Sequence, residues 1–204
     1  MNDTSPSPGF TQARYYDKHF KMDAAKILPG EYFATDRNML LVTVLGSCVA
    51  ACIRDVRAGI GGMNHFMLPK TEKDPATPIS MSARYGSFAM EILVNQLLKM
   101  GARREHLEAK VFGGGNVLRG FTSNSIGESN ADFVIEYLQN EKIPIAAEDL
   151  LGMNPRKIYF FPATGKVFVK RIRELHNHTI VERESEYNLR LRDAPIGGDV
   201  ELFK

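Results

Sequence analysis

A chain of 204 residues with 44% hydrophobic and 25% charged side chains can build one ordinary core and has the composition of a soluble globular domain. Its 26 Lys and Arg against 24 Asp and Glu leave a net charge of +2, with short basic clusters only at Arg103-Arg104 and Lys170 to Arg173, so no nucleic-acid face is expected. No run reaches the roughly 20 apolar residues of a membrane helix, and Asn2, Asp3, Pro6 and Pro8 stand where a secretory signal would need a basic, then apolar, start. Two cysteines, Cys48 and Cys52, do not make a disulfide framework, and the expected compartment is the reducing cytoplasm.

In chain order, residues 1–28 are polar and proline-bearing and read as an N-terminal arm laid over the domain. Glu31 to Thr35 and Met39 to Leu45 read as strands parted by the turn residues Asp36, Arg37 and Asn38. Val49 to Arg54 is a third strand and Gly59 to Leu68 a fourth, closed by Pro69. Lys70 to Ser80 is a loop rich in Pro, Thr and Asp. Tyr85, Phe88, Ala89, Ile92, Leu93, Leu97 and Met100 then follow helical spacing, and Gly101 stands where a helix ends. Glu108 to Phe112 is a strand running into Gly113-Gly114-Gly115.

A second helix is expected from Ser129 or Asn130, both good N-caps, with Phe133, Val134, Tyr137 and Leu138 inward. Ile143 to Glu148, Lys157 to Phe161 and Lys166 to Ile172 read as late strands, the last two joined by a turn at Ala163-Thr164-Gly165. From Arg173 to residue 204 the chain is a charged C-terminal extension, in which Val181 to Arg192 is a helix or a partner-binding tail. The expected fold is a mixed α/β (α+β) domain over residues 29–172, a β-sheet layered with helices between extended termini.

Chemistry concentrates at Thr43-Val-Leu-Gly-Ser-Cys48, where one apolar strand stops at Gly46-Ser47 and another restarts at once. Cys48 at the edge of that turn is held by strands, with its N–H free to face a developing oxyanion. An ordinary thiol with a pKa of about 8.5 is only slightly ionised at neutral pH and needs a base beside it. His65, on the strand after next, supplies one if the strands of Cys48 and His65 pair. The plain alternative is that Cys48 is packing, as buried cysteines usually are. Cys52 inside Val49 to Ile53 reads as core. A zinc site from Cys48, Cys52 and His65 lacks a fourth ligand, and His19, His106, His176 and His178 read as surface residues. The glycine run lacks the Gly-Lys-Ser/Thr ending of a phosphate loop and reads as a tight turn near the site.

Taken in order, Pro29-Gly30-Glu31-Tyr32, Leu45-Gly46-Ser47-Cys48-Val49, Asp55, Gly61 to Pro69, Arg84-Tyr85-Gly86, Ala109 to Gly114, Ile126-Gly127, Asn130 and Glu148-Asp149-Leu150 resemble the CheD family of chemoreceptor glutamine deamidases. The resemblance runs from about Ile27 to Ile172. It implies a cysteine nucleophile at Cys48, a histidine at His65 and a third residue at Thr43. Thr43 would orient His65 or shape the pocket, or be only a β-branched strand residue. Strand register decides this, because one step turns a side chain to the other face. The family also implies a thiol amidohydrolase with no cofactor or metal, and partners among chemoreceptors (methyl-accepting chemotaxis proteins) and a CheC-type phosphatase. The same thiol would serve a glutamyl methylesterase, and a non-catalytic adaptor is the other alternative. Leu151-Gly152 departs from the family's double glycine, and the extension from Arg173 lies beyond the shared core.

Overall fold

A computed structural model of the chain describes residues 13–68, 80–116 and 126–172, together with Glu182, Glu184, Glu186, Tyr187 and Leu189. The loop expected up to residue 79 and most of the tail from Arg173, His176 and His178 included, lie outside the described residues. The strands are β1 (Ala13–Asp17), β2 (Met22–Lys26), β3 (Tyr32–Thr35), β4 (Leu40–Leu45), β5 (Val49–Asp55), β6 (Gly61–Asn64), β7 (Leu107–Gly113), β8 (Ile145–Leu150), β9 (Arg156–Phe161) and β10 (Lys166–Arg171). Helix α1 (Ser80–Lys99) precedes β7 and α2 (Ile126–Asn140) precedes β8.

The strands form two five-stranded mixed sheets, β1-β2-β4-β9-β10 and β3-β6-β5-β7-β8. β2 runs parallel to β4 and β7 to β8. The α+β class expected from the sequence holds. What the sequence did not reveal is that β4 and β5, parted only by Gly46-Ser47-Cys48, belong to different sheets. β5 is buried at every position but Arg54 because both of its faces are covered. Val49, Ala51 and Ile53 pack with Met90, Leu93, Val94, Leu97, Val134 and Leu138 of the two helices. Cys48, Ala50 and Cys52 pack the other way, with Leu41, Leu45, Ile158 and Phe160 of the facing sheet. Each such fully buried large aliphatic or aromatic side chain contributes about 1.5–3 kcal/mol. The layers are thus helices, sheet and sheet, with the short crossing turn between the two sheets.

Four sequence expectations change in detail. The N-terminal arm contains the hairpin β1–β2, whose β2 joins β4, so residues 13–26 are sheet rather than a covering arm. In α1 the buried stripe is Met90, Leu93, Val94 and Leu97, and Phe88 is 61% exposed. The expected stripe mixed two adjacent faces, because apolar residues also line the flank of the helix. α2 starts at Ile126, so Ser129 and Asn130 lie inside it, and Asn130 is fully buried instead of capping. The fourth strand is regular only to Asn64, and Phe66 continues it through a single bridge to Val49.

Candidate active site

The crossing turn has its carbonyls and its N–H groups sorted to opposite sides. Gly46 O accepts from Gly115 N at 2.8 Å and Cys48 O from Gly114 N at 2.8 Å. Ser47 O accepts from Asn130 Nδ2 at 2.8 Å, and the Asn130 Oδ1 accepts from Leu68 N at 2.7 Å. A trans peptide points its N–H away from its C=O. Fixing the carbonyls of Gly46 and Ser47 therefore turns the N–H groups of Ser47 and Cys48 the other way. Gly113 must be glycine here: its φ is +111° and a Cβ would stand 2.1 Å from Cys48 O. The expectation of a tight turn beside the site agrees with the position of this glycine run.

The N–H side of the turn holds a carboxylate. Glu184 Oε1 accepts from Gly46 N at 2.9 Å and from Cys48 N at 3.3 Å. Its Oε2 accepts from Ser47 N at 3.0 Å and Ser47 Oγ at 2.7 Å. Converging backbone donors of this kind make an anion-binding concavity.

His65 is fixed from behind. Its N donates to Glu31 O at 2.9 Å and its O accepts from Gly30 N at 2.7 Å, which is the structural use of the Pro29-Gly30-Glu31 segment. The bridge between Val49 and Phe66 sets the register. One step before each bridged residue, Cys48 and His65 both turn to the face between the sheets, as a diagonal cross-strand pair. Such pairs have Cα atoms about 7–8 Å apart, with side chains in reach. The pairing of the two strands expected from sequence is present.

Thr43 faces the same interlayer space, because Leu41, Thr43 and Leu45 alternate with the outward Leu40 and Val42. Its hydroxyl donates to Ile27 O at 2.8 Å and lies 2.8 Å from His65 Nδ1. With its one proton committed to Ile27, the Thr43 oxygen accepts from Nδ1–H. That assigns the tautomer and leaves a lone pair on Nε2. Among the described residues Nε2 is buried without a hydrogen-bond partner. An orphaned ring nitrogen would be costly in a merely structural histidine. In the neutral ring it is the atom able to accept a proton.

Burial pushes the His65 imidazole down to about 4, against the opposing pull of the Glu184 carboxylate and the Ile27 carbonyl. Burial, and next the Glu184 carboxylate, push the Cys48 thiol well above its ordinary value. The resting pair is therefore neutral thiol and neutral imidazole. Cys52 also lies on this face, and burial raises its thiol too. It is packed with Met63 and Phe112 as a core residue. His19 is exposed, and His106 Nδ1 lies 3.6 Å from Asp55 Oδ2. Among the described residues, no group of three His, Cys, Asp or Glu side chains is placed to hold a metal ion, and no helix is long and apolar enough to cross a membrane.

The structure thus joins Thr43 to His65 by a hydrogen bond and sets Cys48 and His65 as a diagonal pair on the same face. Sequence reasoning missed the Ser47 hydroxyl, the bracing role of Asn130 and the arrival of Glu184. Ser47 and Asn130 stand in the family-like motifs with no role attached. For Glu184 the one available signal was its spacing from Tyr187, which puts both on one face of a helix. The described residues of that segment are all helical. The Tyr187 hydroxyl hydrogen-bonds that of Tyr85, and its ring lies where a Cβ on Gly30 would touch it at 2.8 Å.

The family model described as CheD chemotactic sensory transduction matches residues 67–171. A protein of Thiobacillus denitrificans named "Probable chemoreceptor glutamine deamidase CheD" is 61% identical over 93% of this chain and 94% of its own length. A protein of the same name from Janthinobacterium sp. (strain Marseille) is 63% identical over 93% of each chain. Another, from Laribacter hongkongensis, is 54% identical over 99% of this chain and 98% of its own. The matched domain and this degree of identity along nearly the whole length show that the chain belongs to the CheD family.

Proposed function

We propose that this protein converts glutamine side chains of chemoreceptors to glutamates, with Cys48 as nucleophile, His65 as proton carrier and Thr43 as the residue that orients His65. The observation that carries this reading is the relay from Ile27 O through Thr43 to His65, with a free Nε2, beside a thiol in an anion-binding turn. The names of the relatives support the substrate class. The same reading places the protein in the cytoplasm, where free Cys48 and Cys52 stay reduced. It also includes a CheC-type phosphatase as a second partner, on the strength of the family resemblance.

In this mechanism the thiol proton passes to His65 Nε2 as sulfur attacks the amide carbon of the glutamine. The tetrahedral oxyanion lies against the N–H groups of Gly46, Ser47 and Cys48, where one well-aimed donor is worth roughly 3–4 kcal/mol of barrier. As the intermediate collapses, the carbon–nitrogen bond breaks and Nε2–H protonates the departing ammonia. Nε2 next takes a proton from water, whose oxygen attacks the thioester. The carbon–sulfur bond breaks, the glutamate leaves, and the proton returns to the thiolate. A cavity of about 30 Å³ bordered by Ile27, Pro29, Val44 and His65 has room for that water, which needs roughly 10–15 Å³. Thr43 holds the lone pair on Nε2 through each transfer.

The test is ammonia release from a cytoplasmic chemoreceptor fragment, with glutamine-to-glutamate sites mapped by peptide mass spectrometry. Conversion by the parent and none by Cys48→Ala or His65→Ala is expected. Binding of the fragment by parent and Cys48→Ala alike, with no ammonia from either, would sink the enzyme reading in favour of an adaptor.

A further inference from the structure

Glu184 is part of this site, yet the reaction above does not use it. Its side chain is what deamidation of a glutamine side chain produces, with the same carbon skeleton. It sits 8% exposed against three backbone N–H groups and the Ser47 hydroxyl. Among the described residues no Lys or Arg pairs with it. Among the described residues the turn is what holds the carboxylate, in the place where an amide oxygen must bind for Cys48 to reach the adjacent carbon.

We propose that Glu184 occupies the substrate-glutamine position as a built-in product analogue, so that the C-terminal segment holds the enzyme inhibited in cis until a receptor displaces it. The proposal rests on the deamidase reading for its substrate and adds the regulation of the same site. Three features carry it. Gly46 has no side chain at the point of entry, and a Cβ there would stand 2.8 Å from Glu184 Oε1, so the turn is shaped to admit this group. Tyr187, three residues on, seats its ring against Gly30 and bonds the hydroxyl of Tyr85 on α1, which pins it at two points beside the site. The carboxylate also stands beside the thiol and opposes its ionisation, so its departure would both open the site and ease formation of the thiolate.

Glu184 and Tyr187 are held by non-covalent contacts, as displaceable side chains require. Glu182, on the same helical segment, is exposed and serves as the control.

The experiment uses the full chain and two readouts. The first is the rate at which iodoacetamide alkylates Cys48, followed by peptide mass spectrometry. Glu184→Ala should raise it about tenfold or more, the effect expected from losing a charge-assisted hydrogen-bond set, and Glu182→Ala should leave it at the parent rate. The second uses the isosteric Glu184→Gln, which keeps the packing and guards against misfolding of the alanine variant. Its introduced amide should be hydrolysed to the carboxylate within the purified chain, and should persist when Cys48→Ala is added. Parent-like alkylation in a folded Glu184→Ala, or an amide that persists in a chain still converting receptor glutamines, would overturn the proposal. Faster alkylation without any receptor conversion would instead uphold the occupancy and count against the deamidase reading.

Discussion

At the scale of single residues, the site depends on where one proton is placed. Thr43 gives its proton to Ile27 O and so receives Nδ1–H of His65. Valine at this position has nearly the same shape and neither function. Thr43→Val should leave the fold in place, free the imidazole to adopt the wrong tautomer, and lower kcat with little change in KM. A buried hydrogen bond of about 1–3 kcal/mol corresponds to roughly ten- to a hundred-fold in rate. Steady-state ammonia release over a pH series measures it. Thr43→Ser should recover most of the activity, which a packing role for the methyl group would not allow. The residue types of Cys48, His65 and Thr43 were legible in the sequence. The side on which Thr43 points was not, because strand alternation gives two faces without saying which meets the histidine.

At the scale of elements, the strand β5 starts at the candidate site and finishes at a structural end. Asp55 closes the structural end, buried, with Oδ1 accepting from Arg57 N and Ala58 N at 2.8 Å each and Oδ2 from Arg103 N at 2.8 Å. Burial alone would raise its pKa, but the N–H groups of Arg103, Ala58 and Arg57 outweigh that and hold it below the usual carboxylate value. The residue therefore ties the β5–β6 turn to the segment after α1. Asp55→Ala should cost about 2 kcal/mol, since its donors lie near the surface and water can satisfy part of the loss. Asp55→Asn, which keeps the oxygen for Arg57 and Ala58, should cost less. Urea midpoints would show both. Seven residues of strand, about 23 Å at the usual rise, part Asp55 from Cys48, so kcat of the folded variants should match the parent. Strand positions were legible from apolar runs and turn residues. The start of α2 was not, because Asn130 looks like a cap in sequence while its side chain bridges Leu68 N and Ser47 O.

At the scale of the whole molecule, a buried neutral histidine makes stability depend on pH. The His65 pKa is about 4 in the folded chain against a reference of 6.5. Between those values the unfolded chain binds a proton that the native chain does not. Stability therefore falls as pH falls through that window and is unaffected by this group above it. At 1.36 kcal/mol per unit, the loss on going from neutral pH to about 4 is on the order of 3 kcal/mol. Urea unfolding at pH 7.5, 5.5 and 4.5 should show this decline in the parent and a flatter profile in His65→Gln. Equal slopes for the two would mean that His65 is not the group responsible.

By itself the sequence determined the family, the α+β class and most strand positions, and it singled out Cys48 and His65 as the proposed nucleophile and base. The class and the strands follow from local pattern, apolar runs and glycine at turns, whereas the family and the proposed site residues follow from the resemblance of its ordered motifs. Only the tertiary structure decided that the chain changes sheets at Gly46-Ser47-Cys48, that Asn130 and the glycine run brace that turn, and that Glu184 arrives there from more than a hundred residues away. Those arrangements depend on which distant donors meet which carbonyls. A sequence states what each residue can donate or accept, but a contact of that separation has no periodicity to reveal it.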